Sequence, residues 1–201
     1  IINRQKIDYL HYAETARSRP AGMEKLLDWV EARRLRAFEY SEMPKFDGAV
    51  VCSQDDRNEA ILEAAAGRTN GESVAASTIP VEIIVNGADT TYFTPQRAPD
   101  THPTVLMLGT MHYYPNIDAV QYYFGAMHDA LRAAVPNLRV LIVGHNPPPE
   151  IEALGTLPGV TVTGSVPDIR PYMGRAWLQM VPLRLGGGTR LKIVESMAAG
   201  L

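Results

Sequence analysis

The sequence predicts an α/β fold built on parallel β-sheets, and a regular alternation of strands and helices after residue 103 carries most of this prediction. Short apolar runs typical of buried strands occur at residues 104–108, 138–143, 160–162 and 176–181. Helical segments are predicted after them, at residues 117–135, 149–154, 168–173 and 189–200. Strands that alternate with helices indicate right-handed crossovers, with helices on both faces of the sheet.

The beginning of the chain predicts one long helix. Residues 1–21 show no clear hydrophobic period, and we expect a loop with at most a short helix there. From Met23 to about Glu42 apolar residues recur at helical spacing, which predicts an amphipathic helix. Its expected apolar face consists of Leu26, Leu27, Val30, Leu35 and Phe38.

The same helix carries a basic cluster of Arg33, Arg34 and Arg36. A solvated face, on which these cations pair with Glu31 and Glu39, is the favoured interpretation. The alternative is a peripheral contact between this cluster and an anionic membrane surface, at the inner face of the membrane.

A strand and a capped helix are predicted next. Residues 49–52 form a short apolar run typical of a parallel strand. Ser53 and Asp56 have the spacing of a capping box, in which each side chain satisfies the backbone N–H of the other residue. They predict a helix over residues 54–66, and the small, polar residues 67–78 are expected to form a surface loop.

A domain boundary follows the second apolar strand of this part, which is predicted at residues 81–85. Asn86 and Gly87 break that strand, and the following stretch has no hydrophobic period but contains Pro95, Pro99 and Pro103. We therefore predict one domain over residues 1–85, a linker over 86–103 and a second domain over 104–201.

The composition is that of an ordinary soluble protein, with 46% hydrophobic and 20% charged residues among 201. A net charge of −3 argues against a nucleic-acid-binding domain, which is usually more basic. Cys52 is the single cysteine, which excludes a disulfide framework and favours a reducing, cytoplasmic compartment. No apolar run approaches the roughly 18 residues of a membrane span. Because the chain begins at Ile1 and stops just after a helix, we expect a fragment of a longer protein.

Three consecutive glycines join the last predicted strand to the last predicted helix. We expect Gly186, Gly187 and Gly188 to adopt positive φ and to let a ligand approach the backbone closely. Thr189 follows them and is expected to cap the helix.

The charges at this predicted helix N-terminus indicate a site for an anion. The helix macrodipole favours acidic residues in the first turn, yet Arg190 and Lys192 stand there. Free backbone amides, a helix N-terminus and two basic side chains together suit a phosphate or a diphosphate. Glycine-rich turns also occur for steric reasons alone, and that alternative stays open. The sequence fits neither a P-loop nor the dinucleotide fingerprint, because Leu191 stands where the fingerprint needs glycine.

The string PLRLGGGTRLKIVESMAAG at residues 182–200 resembles the donor-site motif of the group 1 (family 4) retaining glycosyltransferases. These are enzymes of the GT-B fold that use nucleotide-activated sugars. Their commoner motif has one Glu, then seven residues, then a second Glu. Glu195 stands at the second position, and the resemblance implies that it binds the nucleotide ribose. Gly187 stands at the first position, as in a glycine-rich branch of the family, so the carboxylate usually placed beside the donor sugar is missing.

The resemblance extends over most of the chain from about Glu24. The string VNGADTTYFTP resembles the interdomain junction of the family, which implies an acceptor-side domain before it and a donor-side domain after it. The strings MLGTMHYYPNIDAV, LRVLIVGHNPPPEI and VTVTGSVPDIRPYM resemble the first three strand–loop units of the donor domain. The implied fold is GT-B, with two Rossmann-like doubly wound parallel-sheet domains that are both incomplete here.

The loops that follow the strands are expected to meet at one edge of the sheet, since ligands of such folds bind beyond the carboxyl ends of the strands. The resemblance places the third loop, around Val166, near the nucleotide base. The predicted donor-binding residues are Gly109, Thr110, His112, Gly144, Val166, Gly187, Gly188, Thr189 and Glu195. His112 could bind a donor phosphate or sugar, but a lone loop histidine is more often incidental, and that is the favoured interpretation.

The expected catalytic groups are two cations. Thr110 and the Pro115-Asn116 region replace the Arg and Lys that usually hold the diphosphate in this family. Arg190 and Lys192 are therefore expected to stabilise the charge of the departing diphosphate, together with backbone amides. No Asp-x-Asp motif is present, and the histidines and Cys52 lack metal-ligand spacing, so we expect no metal and no cofactor beyond the donor substrate.

The resemblance implies a retaining transfer from a nucleoside-diphosphate sugar to a polysaccharide, a lipid or a small molecule, as in the synthesis of cell-envelope polysaccharides. It places the acceptor-side catalytic residues before Ile1, so the fragment is expected to be inactive alone. The alternative is a non-catalytic module that binds a nucleotide or a protein partner. A nicotinamide-dependent oxidoreductase is disfavoured, because no glycine fingerprint follows any predicted strand. The sequence determines neither the acceptor nor the oligomeric state.

Overall fold

The computed structural model describes residues 1–66, 79–96 and 98–201. The chain forms two compact units, which are Ile1–Asn86 with Leu185–Thr189, and Gly87–Arg184 with Arg190–Leu201. Each unit is an α/β structure around a parallel sheet, which confirms the predicted fold class. The predicted surface loop at 67–78 lies outside the described residues. Within the described part of the chain, no helix combines the length and the apolar character needed to cross a membrane.

The first unit has a three-stranded sheet with strand order β1-β2-β3, and both strand pairs are parallel. Its elements in chain order are β1 (Ile2–Arg4), α1 (Asp8–Ser18), α2 (Met23–Glu42), β2 (Ala49–Val51), α3 (Gln54–Ala66) and β3 (Val81–Ile83). Its core packs Val51 and Val81 of the sheet against Ala60 and Ala64 of α3. Small alanine side chains let α3 lie close to the strands.

The first 21 residues are more regular than predicted, because β1 and the 11-residue helix α1 replace the expected loop. The hydrophobic pattern does not predict α1, because the buried residues of this helix are mostly small or polar. They are Tyr9, His11, Ala13, Thr15 and Ala16. The helix packs along α2, and a hydrophobic period is not required for that contact.

The long helix is confirmed at Met23–Glu42, but its predicted apolar face is exposed. Leu26 and Leu27 are each 57% exposed and Phe38 is 61% exposed, while Ala32 is buried. The physical reason is that the side of α2 that packs within the unit carries ion pairs rather than leucines. One of them joins Asp28 to Arg19 at 2.8 Å.

A second ion pair of α2 belongs to a buried cluster around β1. The Arg4 guanidinium contacts Glu39 at 2.7 Å and also contacts Glu63, whose side chain is fully buried. The predicted pairing of Glu39 with the basic cluster is therefore wrong, whereas Glu31 does pair with Arg34 at 3.5 Å. Burial raises the pKa of Glu63 to about 7, although Arg4 lowers it, and the like charge of Glu39 raises it further.

We predict that Glu63→Gln removes a pH-dependent loss of stability. The folded pKa of about 7 lies above the ordinary value of 4.5, so this group stabilises the folded state at low pH and loses that contribution as the pH rises through about 7. Urea unfolding of both proteins from about pH 5 to pH 8 measures the difference in the free energy of unfolding. That difference should shift in favour of the variant as the pH rises.

The control for this experiment is Glu150→Gln, which removes an exposed carboxylate from the second unit. The buried cluster is intact in this variant, so the loss of stability with rising pH should still be present. If the difference in the free energy of unfolding between Glu63→Gln and the wild type were the same at every pH, the buried ion cluster would not titrate as described.

The second unit has a four-stranded sheet with strand order β6-β5-β4-β7, and every pair of neighbours is parallel. Its strands and helices in chain order are β4 (Thr104–Leu108), α4 (Tyr114–Ala126), α5 (His128–Ala134), β5 (Arg139–Val143), α6 (Pro149–Glu152), β6 (Val160–Val162), α7 (Arg170–Arg175), β7 (Leu178–Gln179) and α8 (Leu191–Ala198). The strand order reverses beside β4, because β5 lies on one side of it and β7 on the other.

Helices cover both faces of this sheet. Alternate residues of β4 enter different cores, since successive side chains of a strand point to opposite faces. Val105 packs in a core that includes Tyr123 of α4. Leu106 packs in the other core, which includes Met173 of α7 and Ala199 just after α8. Strands buried on both faces read as continuous apolar runs, and this is why β4 and β5 were predictable.

Four predicted strands are shorter in the structure, and two of them lose more than one residue. The strand predicted at 81–85 ends at Ile83, and Val85 is 72% exposed. The strand predicted at 176–181 is reduced to Leu178–Gln179, which pairs with only two residues of β4. Apolar character extends beyond the residues that find a hydrogen-bonded neighbour, so it overestimates strand length.

Four predicted helices differ in their bounds, and those predicted at 149–154 and 189–200 span Pro149–Glu152 and Leu191–Ala198. The helix predicted at 117–135 is two helices, which are interrupted at Met127, and the first of them begins earlier because Pro115 fits a first helical turn. The helix predicted at 168–173 begins at Arg170, because the Asp168 carboxylate accepts the Arg170 backbone N–H at 2.9 Å.

Candidate functional site

A cavity of about 310 Å³ lies at the carboxyl ends of β4 and β5 in the second unit. Ligands of open α/β sheets bind at this edge, where the strand order reverses. Six predicted site residues line the cavity, namely Gly109, Thr110, Gly144, Val166, Lys192 and Glu195. Leu108, Val143, His145, Ser165 and Ile169 also contribute to its lining.

Gly109 and Gly144 allow the two loops at this edge to approach each other. A Cβ atom on Gly144 would lie 1.7 Å from the Gly109 carbonyl oxygen, and a Cβ atom on Gly109 would lie 2.6 Å from the Asn116 amide nitrogen. The Met111 backbone N–H also donates to the His145 carbonyl at 2.8 Å. Both glycines therefore have a packing role beside the predicted role in ligand binding.

We predict that Gly144→Ala destabilises the protein by about 2 kcal/mol or more, because the backbone of two loops must move to accept a methyl group. Thermal or urea unfolding measures the loss. Gly125→Ala is the matched control, since nothing lies within 4 Å of its added Cβ atom and the residue is inside α4. That control should stabilise the protein by about 0.5–1 kcal/mol. A Gly144→Ala protein as stable as the wild type would contradict the described contact.

Lys192 lies in the first turn of α8, and its half-buried side chain reaches the end of β4. Its ammonium group donates to the Leu108 carbonyl at 2.7 Å and to Asn116 Oδ1 at 2.7 Å. Both partners are neutral, and Lys192 makes no ion pair with any residue that the structure describes. Burial lowers the pKa of Lys192 to about 8, the Arg190 charge lowers it further, and Glu195 raises it.

This arrangement suits an anionic ligand. A cation removed from water without a counter-ion costs free energy, and an anion bound beside it recovers much of that cost. An ammonium group has three N–H donors, of which two are used within the protein. No described residue accepts from the third donor, and Lys192 lines the cavity.

A second cation of the same unit is compensated. The Arg184 guanidinium forms two hydrogen bonds with the buried Asp118 carboxylate, at 3.0 and 2.5 Å, and lies over the Tyr122 ring. Asp118 and Asn116 are both in the first turns of α4. The sequence prediction assigned neither a role, and the available signal was the string PNIDA after the first strand of this unit.

His112 is next to His145, which the sequence prediction did not select. Their ring centroids are 6.0 Å apart. His145 lines the cavity, and its Nδ1 is 2.5 Å from the Ser165 hydroxyl oxygen. Both loops were expected at this edge, so the position of His145 was predictable, but its pairing with a serine 20 residues away was not.

Arg190 immediately precedes α8 and occupies its N-cap position. The predicted helix start at residue 189 and the predicted cap by Thr189 are therefore wrong. The Thr189 hydroxyl instead donates to the Cys52 carbonyl at 3.3 Å within the first unit. This alternative partner is the physical reason why the hydroxyl does not cap α8.

The glycine run that precedes Arg190 belongs to the first unit. Gly186 and Gly188 adopt positive φ, at 93° and 74°, but Gly187 does not, so that part of the prediction is wrong. The Gly186 backbone N–H donates to the Glu14 carboxylate at 2.9 Å. The ligand-binding roles of Gly187, Gly188 and Thr189 stay predictions.

The described residues contain no group of three histidine, cysteine, aspartate or glutamate side chains arranged to hold a metal ion. The polar groups at the cavity are a lysine, a carboxylate, a histidine, the hydroxyls of Thr110 and Ser165, and backbone groups.

The fold of the chain is that of the GT-B glycosyltransferases. The crystal structure of TarM matches 83% of this chain with a TM-score of 0.60 and 13% identity, and the crystal structure of the GtfA/B complex matches 84% with a TM-score of 0.52 and 15% identity. This chain spans 30% of the first structure and 32% of the second. At this identity the likeness shows the fold alone, and it confirms the predicted GT-B type.

Residues 102–201 match the family described as glycosyl transferases group 1. This part of the chain, which contains β4 to α8 and the cavity, is therefore similar to that family. No curated protein sequence matches the chain significantly. The retaining mechanism and the family 4 branch stay predictions.

Proposed function

We propose that the chain is part of a retaining, metal-independent glycosyltransferase whose second unit binds a nucleoside-diphosphate sugar. One observation carries the proposal. The Lys192 ammonium group is half-buried at the carboxyl end of β4, beside a cavity, and it forms no ion pair with a described residue. A diphosphate is the anion that a glycosyltransferase group 1 domain is expected to bring to such a site.

In the proposed reaction the bond between the anomeric carbon and the diphosphate oxygen breaks, and the acceptor oxygen forms the new bond on the same face of the sugar. The proton of the acceptor hydroxyl passes to the departing diphosphate. Negative charge grows on the departing diphosphate. Lys192 stabilises that charge, because a preoriented cation in a partly water-excluded site acts strongly on developing charge. Arg190 adds a second positive charge close enough to lower the pKa of Lys192.

The remaining lining suits a nucleoside. Val166 and Ile169 offer apolar contacts for a base, and the carboxylate of Glu195 can accept hydrogen bonds from ribose hydroxyls. A volume of about 310 Å³ is at the lower end of the range for small-molecule pockets. It accommodates the nucleotide part of the donor, and we propose no residues for the sugar or the acceptor.

The proposal predicts that UDP, GDP or ADP stabilises the chain against heat. Lys192→Ala should weaken the binding of that diphosphate about 30-fold, or about 2 kcal/mol, because a charge-assisted hydrogen bond is lost. The double change Arg190→Ala, Lys192→Ala should abolish binding. Isothermal titration measures the affinities, and NAD should not bind. The matched control is Arg139→Ala, which removes an exposed cation from the first residue of β5 at the opposite edge of the same sheet. It should bind like the wild type.

Equal affinities in the wild type and the double variant would refute the proposed site. Failure of all three diphosphates to bind the wild type would favour the alternative of a non-catalytic module. Gly187 at the position of the family's first Glu is the feature that agrees with that alternative.

A further inference from the structure

Asn116 connects the two segments that form one side of the cavity. The residue is buried, with 8% of its surface exposed. The amide nitrogen donates to the Thr110 carbonyl at 2.9 Å, and the amide oxygen accepts from Lys192 at 2.7 Å. One neutral side chain thus fixes the loop after β4 and the cation of α8 at the same time.

The surroundings of Asn116 are built to hold it in this place. Its backbone N–H donates to the Tyr113 carbonyl at 2.9 Å, which fixes the start of α4. Gly109 leaves room for its amide, since any Cβ atom there would collide with it. Three other residues, Tyr113, Gly109 and Thr110, therefore hold Asn116 in place for its contact with Lys192.

Asp118 and Asn116 of α4 each contact a cation, but the first is a charged acceptor and the second is a neutral one. Asp118 gives Arg184 a carboxylate, which neutralises it. Asn116 gives Lys192 an amide, which accepts a hydrogen bond and leaves the positive charge uncompensated. A carboxylate at position 116 could still accept the hydrogen bond of the ammonium group, but it would neutralise that cation and repel an anionic ligand. It would also lose the N–H donor that binds the Thr110 carbonyl, which is why Asn116→Ala is tested beside it.

We propose that Asn116 is a positioning residue that holds the Lys192 ammonium group at the cavity without neutralising it, so that the charge is available to the diphosphate of the donor. This inference rests on the proposed function for the identity of the anion. Asn116 acts on the ligand only through Lys192, so the proposal requires no contact between Asn116 and the ligand.

Lys192 has few other charged neighbours that could conceal the effect. Arg190 and Glu195 act on it from its own segment, with opposite signs. On α4, Asp118 is paired with Arg184. Across the cavity, His145 is bound to Ser165. A new carboxylate at position 116 would be the one negative group in direct contact with the ammonium group among the described residues.

The test is an NMR titration of Lys192 in the full chain, whose lysine side chains are labelled with ¹³C. The Lys192 signal is assigned as the one that is missing in Lys192→Arg. The wild-type midpoint is expected near 8. Asn116→Asp should raise the midpoint by about one pH unit or more, because an opposite charge favours the ammonium form. The same change should weaken binding of UDP, GDP or ADP at pH 7 about tenfold or more.

Asn137→Asp is the matched control, since it adds the same charge at an exposed position before β5 in the same unit. It should change neither the midpoint nor the affinity. Asn116→Ala tests the proposal in the opposite direction. Loss of an acceptor for the charged form should lower the midpoint, and this variant decides the matter if Asn116→Asp does not fold.

A Lys192 midpoint that is the same in the wild type, Asn116→Asp and Asn116→Ala would overturn the proposal, because a merely structural asparagine would not affect this titration. If no diphosphate binds the wild type, the proposed function fails, while the lysine titration still decides whether Asn116 positions the cation. The pH dependence of binding gives a further check. Wild-type affinity should fall above about pH 8, and Lys192→Arg affinity should not, because arginine stays protonated.

Discussion

The hydrogen bonds of the Lys192 ammonium group to the Leu108 carbonyl and the Asn116 amide are the interaction on which the site depends. They join Leu108, which is the last residue of the inner strand β4, to the first turn of α4 and the first turn of α8. They also place a cation where the strand order of the sheet reverses. Both acceptors are neutral, and the charge of Glu195 at the same cavity is opposed by that of Arg190, so the site keeps a net positive charge at Lys192. The fold thus creates an electrostatic requirement that a diphosphate can meet.

The close packing of the loops around this cation limits which residues can occupy them. Gly144 is required beside Gly109, and Gly109 is required beside Asn116, because each Cβ atom would collide with the neighbouring segment. The two loops are therefore fixed by backbone contacts with each other, and the Asn116 amide also holds the loop after β4. Preorganised groups of this kind stabilise developing charge without having to reorganise during the reaction. These contacts are sufficient to explain why glycine is required at positions 109 and 144, even without a bound ligand.

Much of the second unit could be predicted from the sequence, because β4 and β5 are buried on both faces and give continuous apolar runs. Lys192 could be predicted from its charge at a helix start. The first unit was harder, since α1 buries small and polar residues, and α2 packs through ion pairs such as Asp28 with Arg19 while its leucines are exposed. The role of Asn116 could not be read from the sequence, because its partner Lys192 is 76 residues away and the contact exists only in the folded sheet.

The most direct test of the central claim is a crystal structure of the chain with whichever nucleoside diphosphate stabilises it most. The account predicts a phosphate oxygen within about 3 Å of the Lys192 nitrogen, the ribose beside Glu195, and the Leu108 and Asn116 contacts still in place. A diphosphate bound at another surface, with Lys192 still in contact only with Leu108 and Asn116, would contradict the claim that this cation is the anchor of the donor.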